Sequence, residues 1–222
     1  MRIALLGGTG DIGEGLALRW AHDTDHEVLI GSRDPERARD AADRYEAELA
    51  DRGVERSIAG FANEMAADRA DVVVLAVPAD YVPDTVGAVA DRLDGDDVLV
   101  SPAVSMRRTA AGFRYAPPDA GSTTQAAAEA APAGVPVVGA FHNLAAGRLA
   151  NLDAPLGVDV LIVGDDEGAT ATVSRLTEEI DGLRALDAGG LDAAAEVETL
   201  TPLLVTLAVE NEGLHDLGVR FE

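Results

Sequence analysis

Residues 1–20 read MRIALLGGTGDIGEGLALRW. The apolar run 2–7 predicts a buried strand, and the stretch from about Asp11 to Ala21 predicts a helix. Between them lies Gly8-x-Gly10-x-x-Gly13. A strand, glycines at this spacing and a helix together make the dinucleotide-binding fingerprint. In that reading Gly8 makes the tight turn, Gly10 lets a pyrophosphate approach the backbone, and Gly13 allows close helix–strand packing. The helix N-terminus, at Asp11 and Ile12, then turns its free N–H groups and positive dipole end toward the phosphates. Thr9 adds a hydroxyl. A tight turn without a ligand is the alternative.

The rest of the chain alternates in the same way. Strands are predicted at 26–32, near 57–60, at 71–78, 97–102 and 136–141, near 159–163, and at 183–187. Helices are predicted at about 35–51, 62–69, 80–93, 122–131, 166–180 and 191–216. Asp34-Pro35 starts the second helix as N-cap and first helical residue. DVVVLAVP (71–78) is continuous, β-branched and ended by proline, as a strand buried on both faces should be. Alternation of this kind means an α/β fold, Rossmann-like and doubly wound, with a mostly parallel sheet. A boundary near 148 divides a nucleotide-binding domain (1–148) from a smaller C-terminal α/β extension (149–222). The stretch 103–120 shows no period and reads as a long connection.

Composition narrows the class. The chain has 222 residues, no cysteine and 4% aromatics. A disulfide framework and thiolate metal sites are excluded. No apolar run approaches the roughly 18 residues of a membrane span, and the N-terminus is unlike a secretory signal. A cytoplasmic setting is expected. Forty Asp and Glu face 17 basic residues, all arginine, for a net charge of −23. Nucleic acid is an unsuitable partner for such a surface. A GC-rich coding bias would give this balance; so would a high-salt cytoplasm, where salt screens acidic self-repulsion. The second reading is preferred.

The end of the second predicted strand tells which dinucleotide binds. An NAD site places an acidic residue there for the ribose 2′-OH. This chain has Gly31-Ser32-Arg33-Asp34, with Arg37 one helical turn on. Hydroxyl and guanidinium donors suit a 2′-phosphate, hence NADP. A surface pairing of Arg33 with Asp34 or Glu36 is the alternative.

What is missing also informs. Without lysine, neither a catalytic lysine nor a Tyr-x-x-x-Lys pair can support carbonyl reduction. No metal-ligand spacing is present, and Ser101 and Ser105 have no base beside them. His142 follows the 136–141 strand, where a parallel strand faces the ligand crevice; a structural role there is as reasonable as a functional one. Hydride transfer between two bound redox cofactors needs no protein acid or base in the transfer step. It needs two rings held face to face in a dry pocket.

At this point the sequence resembles the archaeal NADPH:coenzyme F420 oxidoreductases. The pieces that carry the resemblance are MRIALLGGTGDIGEGLALR, GSR (31–33), VSP (100–102), ANLD (150–153), GDD (164–166), EIDGLRALDAGGL (179–191), VETLTPL (197–203) and LGVRF (217–221). The last three are not general Rossmann features and are the most specific. The resemblance implies reversible hydride transfer between NADP(H) and the 8-hydroxy-5-deazaflavin coenzyme F420, in a homo-oligomer. It implies that Thr9 to Ile12, Ser32, Arg33 and Arg37 hold NADP. It places Ala79 and Ala146 beside the nicotinamide, and His142, Thr199, Thr201 and Leu217 against the deazaflavin; helix capping is an equal reading for the two threonines. The loop at 103–120, with Arg107, Arg108 and Arg114, is a candidate to meet the coenzyme's anionic tail. Another NADP-dependent imine or carbonyl reductase, or a non-catalytic NAD(P) sensor, remains the alternative function.

Overall fold

The computed structural model describes residues 1–222. In chain order the elements are β1 (Arg2–Leu6), α1 (Asp11–Asp23), β2 (Glu27–Ser32), α2 (Pro35–Asp51), β3 (Ile58–Ala62), α3 (Asn63–Ala67), β4 (Val72–Leu75), α4 (Val82–Val89) and β5 (Val98–Ser101). There follow β6 (Met106–Thr109), β7 (Gly112–Tyr115), α5 (Thr123–Ala130), β8 (Val137–Gly139) and α6 (Ala146–Ala150). The chain continues through β9 (Val158–Gly164), α7 (Glu167–Glu178), β10 (Leu183–Asp187), α8 (Ala194–Glu198) and α9 (Leu200–Glu210).

Eight strands form one sheet in the order β10-β9-β8-β5-β4-β1-β2-β3. The six strands from β3 to β8 are all parallel. Their order reverses between β1 and β4, where ligands bind in doubly wound folds. Apart from Arg2, the residues of β1 and β4 are buried, with Ile3, Leu5, Val72 and Val74 facing one helix layer and Ala4, Leu6, Val73 and Leu75 the other. This two-sided burial explains why β4 reads as an unbroken apolar run.

β9 departs from the parallel rule by pairing antiparallel with β8. The connection between them holds only the short α6, so β9 sets off from the edge where β8 ends and runs back. β10 then pairs parallel with β9 after α7 crosses over. One apolar core runs from Ile3 to Leu183, so the sheet and its core continue across residue 148.

Two expectations are corrected. The segment 103–120 is not a plain connection: it contains the β6–β7 antiparallel hairpin, held by Phe113 N–H donating to Thr206 Oγ1 in α9 (2.8 Å). Its strands are short and mostly exposed, so no apolar alternation marks them. The helix expected at 191–216 is broken into a 3₁₀ turn at 191–193, α8 and α9, and ends at Glu210. Pro202 has no N–H for the Glu198 carbonyl, which interrupts the ladder at that turn. Asn211 is extended and Gly213 has φ +85°, which stops the helix before 216.

Arg19 of α1 fixes the turn after α6. Its guanidinium is buried and donates to the carbonyls of Arg148, Leu149, Asn151 and Ala154 at 2.7–3.1 Å. Five donors in a rigid fork suit a cluster of carbonyls where water is excluded.

Candidate functional site: a crevice at the strand-order reversal

At the C-terminal ends of β1, β4, β5 and β8 the structure opens a cavity of about 620 Å³. Its walls come from Gly10, Asp11 and Ile12 at the α1 N-terminus, from Ala76 to Ala79 after β4, and from Pro102 to Val104 with Met106 after β5. His142 to Gly147 after β8 form the floor, and Thr201, Leu204, Val205, Ala208, Val209, Asp216 and Leu217 close the far side. The wall is mainly apolar, as ligand pockets are. Lys and Tyr are absent from it.

The glycine loop delivers the α1 N-terminus to this cavity. Gly7, not Gly8, takes the left-handed turn, with φ +78°; a Cβ there would lie 2.6 Å from the Ala76 carbonyl oxygen. The role expected of Gly8 therefore moves one residue upstream. A Cβ on Gly13 would lie 2.5 Å from the Gly8 Cα, so loop and helix touch backbone to backbone. Gly10 caps α1 without any side-chain hydrogen bond. The first-turn N–H groups are thus left for an anion. Tyr45 of α2, fully buried, supports the loop from beneath by donating its hydroxyl to the Gly8 carbonyl at 2.9 Å.

The same loop is tied to the end of β2. Gly7 and Gly8 N–H both donate to the Gly31 carbonyl, at 2.9 and 3.2 Å. Ser32 and Arg33 therefore follow directly beside the phosphate loop. Ser32 Oγ accepts from Asp34 N–H at 3.2 Å, and Asp34 caps α2 by accepting from Glu36 N–H. Arg33 is exposed and lies over the Tyr81 ring at 5.7 Å. Neither Arg33 nor Arg37 forms an ion pair, so the expected alternative of pairing with Asp34 or Glu36 is not realised. A free pair of guanidinium groups at this point fits a 2′-phosphate.

Behind the floor is a polar network that the sequence did not announce. Glu198 of α8 is fully buried. Its carboxylate accepts from Thr123 N–H (3.0 Å) and Thr124 N–H (2.9 Å) at the start of α5, from Thr124 Oγ1 (3.0 Å) and from the Tyr115 hydroxyl (2.9 Å). Thr124 Oγ1 also meets His142 Nε2 at 3.2 Å. Since the Thr124 proton goes to Glu198, the imidazole donates from Nε2, and Nδ1 carries the lone pair. Burial pushes the His142 imidazole down to about 4, against a smaller upward pull from Glu198. His142 is therefore neutral near pH 7, and its Nδ1 has no partner within the chain.

The C-terminus is locked by one buried carboxylate. Asp159 of β9 takes both Arg184 nitrogens, Nε at 2.8 Å and Nη2 at 2.6 Å, and the Phe221 N–H at 2.7 Å. Arg184 also donates to the Phe221 carbonyl. Asp159 N–H donates to the Val219 carbonyl, and a Cβ on Gly218 would strike Val158. The Arg184 guanidinium holds the Asp159 carboxyl below the usual carboxylate range. This packing sets Leu217 at the cavity wall.

These features match a known family. A family profile described as "NADP oxidoreductase coenzyme F420-dependent" matches residues 2–105. The F420-dependent NADP reductase of Methanothermobacter marburgensis is 40% identical over 99% of this chain and 97% of its own. The chain belongs to the F420-dependent NADP reductase family. The reductase of Methanocaldococcus jannaschii is 39% identical over 95% of this chain and 93% of its own. Among solved structures, a protein from Arthrobacter named as a candidate F420-dependent NADP-reductase superposes with a TM-score of 0.81, at 24% identity over 100% of this chain and 99% of its own. A pyrroline-5-carboxylate reductase from Coxiella burnetii shares the fold alone, at TM-score 0.61 and 16% identity over 96% of this chain and 72% of its own.

Of the residues expected from the reductase resemblance, Gly10, Asp11, Ile12, Ala79, His142, Ala146, Thr201 and Leu217 are brought together around the cavity. Gly8, Thr9 and Gly13 build its loop, while Ser32, Arg33 and Arg37 stand beyond that loop at the β2 end. Thr199 is not brought in. It is exposed, and its hydroxyl turns back to the Glu196 carbonyl at 2.6 Å. Thr201 instead donates to the His142 carbonyl, so neither threonine caps α9 through its side chain. Glu198, Tyr45 and Asp159 were missed. No local pattern identifies them, because their partners lie 37 or more residues away, except for Asp159, which bonds Arg184 25 residues on.

Proposed function

We propose that this protein transfers a hydride, reversibly, between NADP(H) and the deazaflavin coenzyme F420. The observation that carries the proposal is the cavity's two-sided wall. One side is the uncapped α1 N-terminus, reached from the free arginines at the β2 end. The other is the apolar face of α9 with Leu217. Such a slot accommodates a nicotinamide on the sheet side and a second planar ring above it.

The roles follow from that placement. The α1 N–H groups hold the pyrophosphate, and Ser32, Arg33 and Arg37 hold the 2′-phosphate. Ala79 and Ala146, small residues from opposite sides, leave room for the nicotinamide. Leu204, Val205, Ala208 and Leu217 keep water from the space between the rings. Both co-substrates exchange a hydride at a ring carbon, so the chain's contribution is proximity and a dry environment. Neutral His142 neither supplies nor takes a proton near pH 7. Residues 1–148 act as the NADP-binding part, and 149–222 complete the deazaflavin pocket. The same reading puts the protein in the cytoplasm as a homo-oligomer, for which the exposed Leu203 and Leu207 of α9 offer apolar surface.

The test is direct. NADPH and oxidised F420 are mixed with the protein in high salt, and the deazaflavin's visible absorbance is followed. Loss of colour supports the proposal. Persistence of colour alongside tight NADPH binding would instead mark an NADP sensor.

A further inference from the structure

A second group of arginines without ion-pair partners follows β5, on the other side of the strand-order reversal from Arg33 and Arg37 at the end of β2. The stretch 98–118 contains no acidic residue, in a chain with 40 of them against 17 arginines. Within it the β6–β7 hairpin carries Arg107, Arg108 and Arg114, all exposed. None forms an ion pair. With so many carboxylates elsewhere, three cations without a counter-charge on one short hairpin call for an explanation.

The register supplies it. Arg107 is directly opposite Arg114, so both project from the same face of the hairpin. Like charges opposed across an antiparallel pair destabilise it. No carboxylate within the chain relieves this pair; Arg114 Nη1 donates only to the Phe113 carbonyl, at 2.8 Å. Arg108 is opposite Phe113, and its guanidinium lies 6.0 Å from that ring. Met106, two residues before Arg108, shares its face and lines the cavity. Tyr115, also on that face, donates to Glu198, which binds the hairpin to the polar network behind the floor. The hairpin is thus a rim fixed at two points, Tyr115–Glu198 and Phe113–Thr206. Its cationic side chains have no carboxylate partner, and Arg107 follows Met106 of the cavity wall directly.

We infer that this hairpin is the anion-binding rim of the cavity, and that it takes the phosphate and carboxylate groups of the deazaflavin co-substrate's tail. The inference rests on the proposed hydride transfer and adds to it the residues that recognise the tail. Arg108 meets the first anionic group as the tail leaves the cavity beside Met106. Arg107 and Arg114 form a two-guanidinium clamp for a later one, and the bound anion removes their mutual repulsion. Planar guanidinium groups suit both phosphate and carboxylate.

The experiment compares two substrates, intact coenzyme F420 and the tail-less deazaflavin that ends at its ribityl chain. Wild type is compared with Arg108→Gln, with Arg107→Gln/Arg114→Gln, and with the triple variant. Wild type is expected to prefer the intact coenzyme in kcat/KM. The triple variant should lose about tenfold or more of that preference, through KM for the intact coenzyme. The dependence of that KM on salt should flatten in the same variant, as contact charges are removed. Arginine-to-lysine variants at the three positions should retain part of the preference. An unchanged preference overturns the inference, and so does an equal loss on both substrates, which would mean damage to the ring site. Wild type that turns over both substrates equally well overturns the inference alone. Wild type that turns over neither overturns the parent reading with it.

Discussion

The Thr201 hydroxyl donates to the His142 carbonyl at 2.6 Å. This bond joins the first turn of α9 to the turn after β8, and so sets the spacing between the two sides of the cavity. Thr201→Val keeps the shape and deletes the donor. Loss of one such bond costs about 1 kcal/mol, or roughly 2–4 °C in Tm for a chain of this size. The KM for the deazaflavin should rise several-fold, with little change in KM for NADPH. Steady-state kinetics with each co-substrate varied in turn check this; equal effects on both would remove Thr201 as a spacer of the deazaflavin side.

Arg33→Ala should abolish the preference for NADPH over NADH. A charge-assisted bond to a phosphate is worth about 1.5–3 kcal/mol, so the Kd for NADPH should rise by about tenfold or more while that for NADH stays put. Titration by nicotinamide fluorescence measures both. An unchanged ratio would sink the assignment of the 2′-phosphate site to the end of β2.

Glu198→Gln turns an acceptor into a donor against groups that already donate. Whichever oxygen is replaced, the new amide faces Thr123 N–H and the Tyr115 hydroxyl, or Thr124 N–H and Oγ1. The buried donors left without an acceptor should cost about 3 kcal/mol or more. Chemical denaturation reads the loss. Nitrogen NMR of the imidazole should also show that the Nε2–H tautomer of His142 is no longer enforced. A fully stable variant with the tautomer intact would refute the network's role.

His142 gives stability a pH dependence. Its imidazole sits at about 4 in the fold, against about 6.5 in an unfolded chain. Between these values the unfolded chain binds a proton that the fold refuses. Stability is therefore full above about pH 6.5 and falls as pH drops toward 4, by at most about 1.4 kcal/mol per unit. Urea midpoints at pH 7.5 and 4.5 should show a steeper fall for wild type than for His142→Gln. Parallel slopes would contradict a buried neutral imidazole.

The surface predicts a salt requirement. A net charge of −23 repels itself, and the Debye length grows from about 3 Å at 1 M to about 10 Å at 0.1 M. Tm should fall steadily as NaCl is diluted below about 1 M. A Tm unchanged down to 0.1 M would rule out a high-salt adaptation.

Local chemistry made much of this molecule readable from residue order. The strand–glycine–helix unit at 2–23, the Asp34-Pro35 helix start and the Ser32-Arg33 pair each depend on neighbours within a few residues. Their geometry follows from backbone freedom, capping and charge type. The β6–β7 hairpin escaped because its strands are only four residues long and largely exposed. The break between α8 and α9 escaped because the apolar pattern runs through it.

Sequence alone therefore determined the local frame of the proposed nucleotide half: a strand–glycine–helix unit whose turn glycine proved to be Gly7 rather than Gly8, and arginines without ion-pair partners at the end of β2. Tertiary structure decided the other half. It turned β9 antiparallel, brought Thr201 to His142 while leaving Thr199 outside, and buried Glu198 against the start of α5, 74 residues away. Those outcomes depend on where distant segments meet, and a hydrogen bond between distant segments leaves no periodicity in either of them.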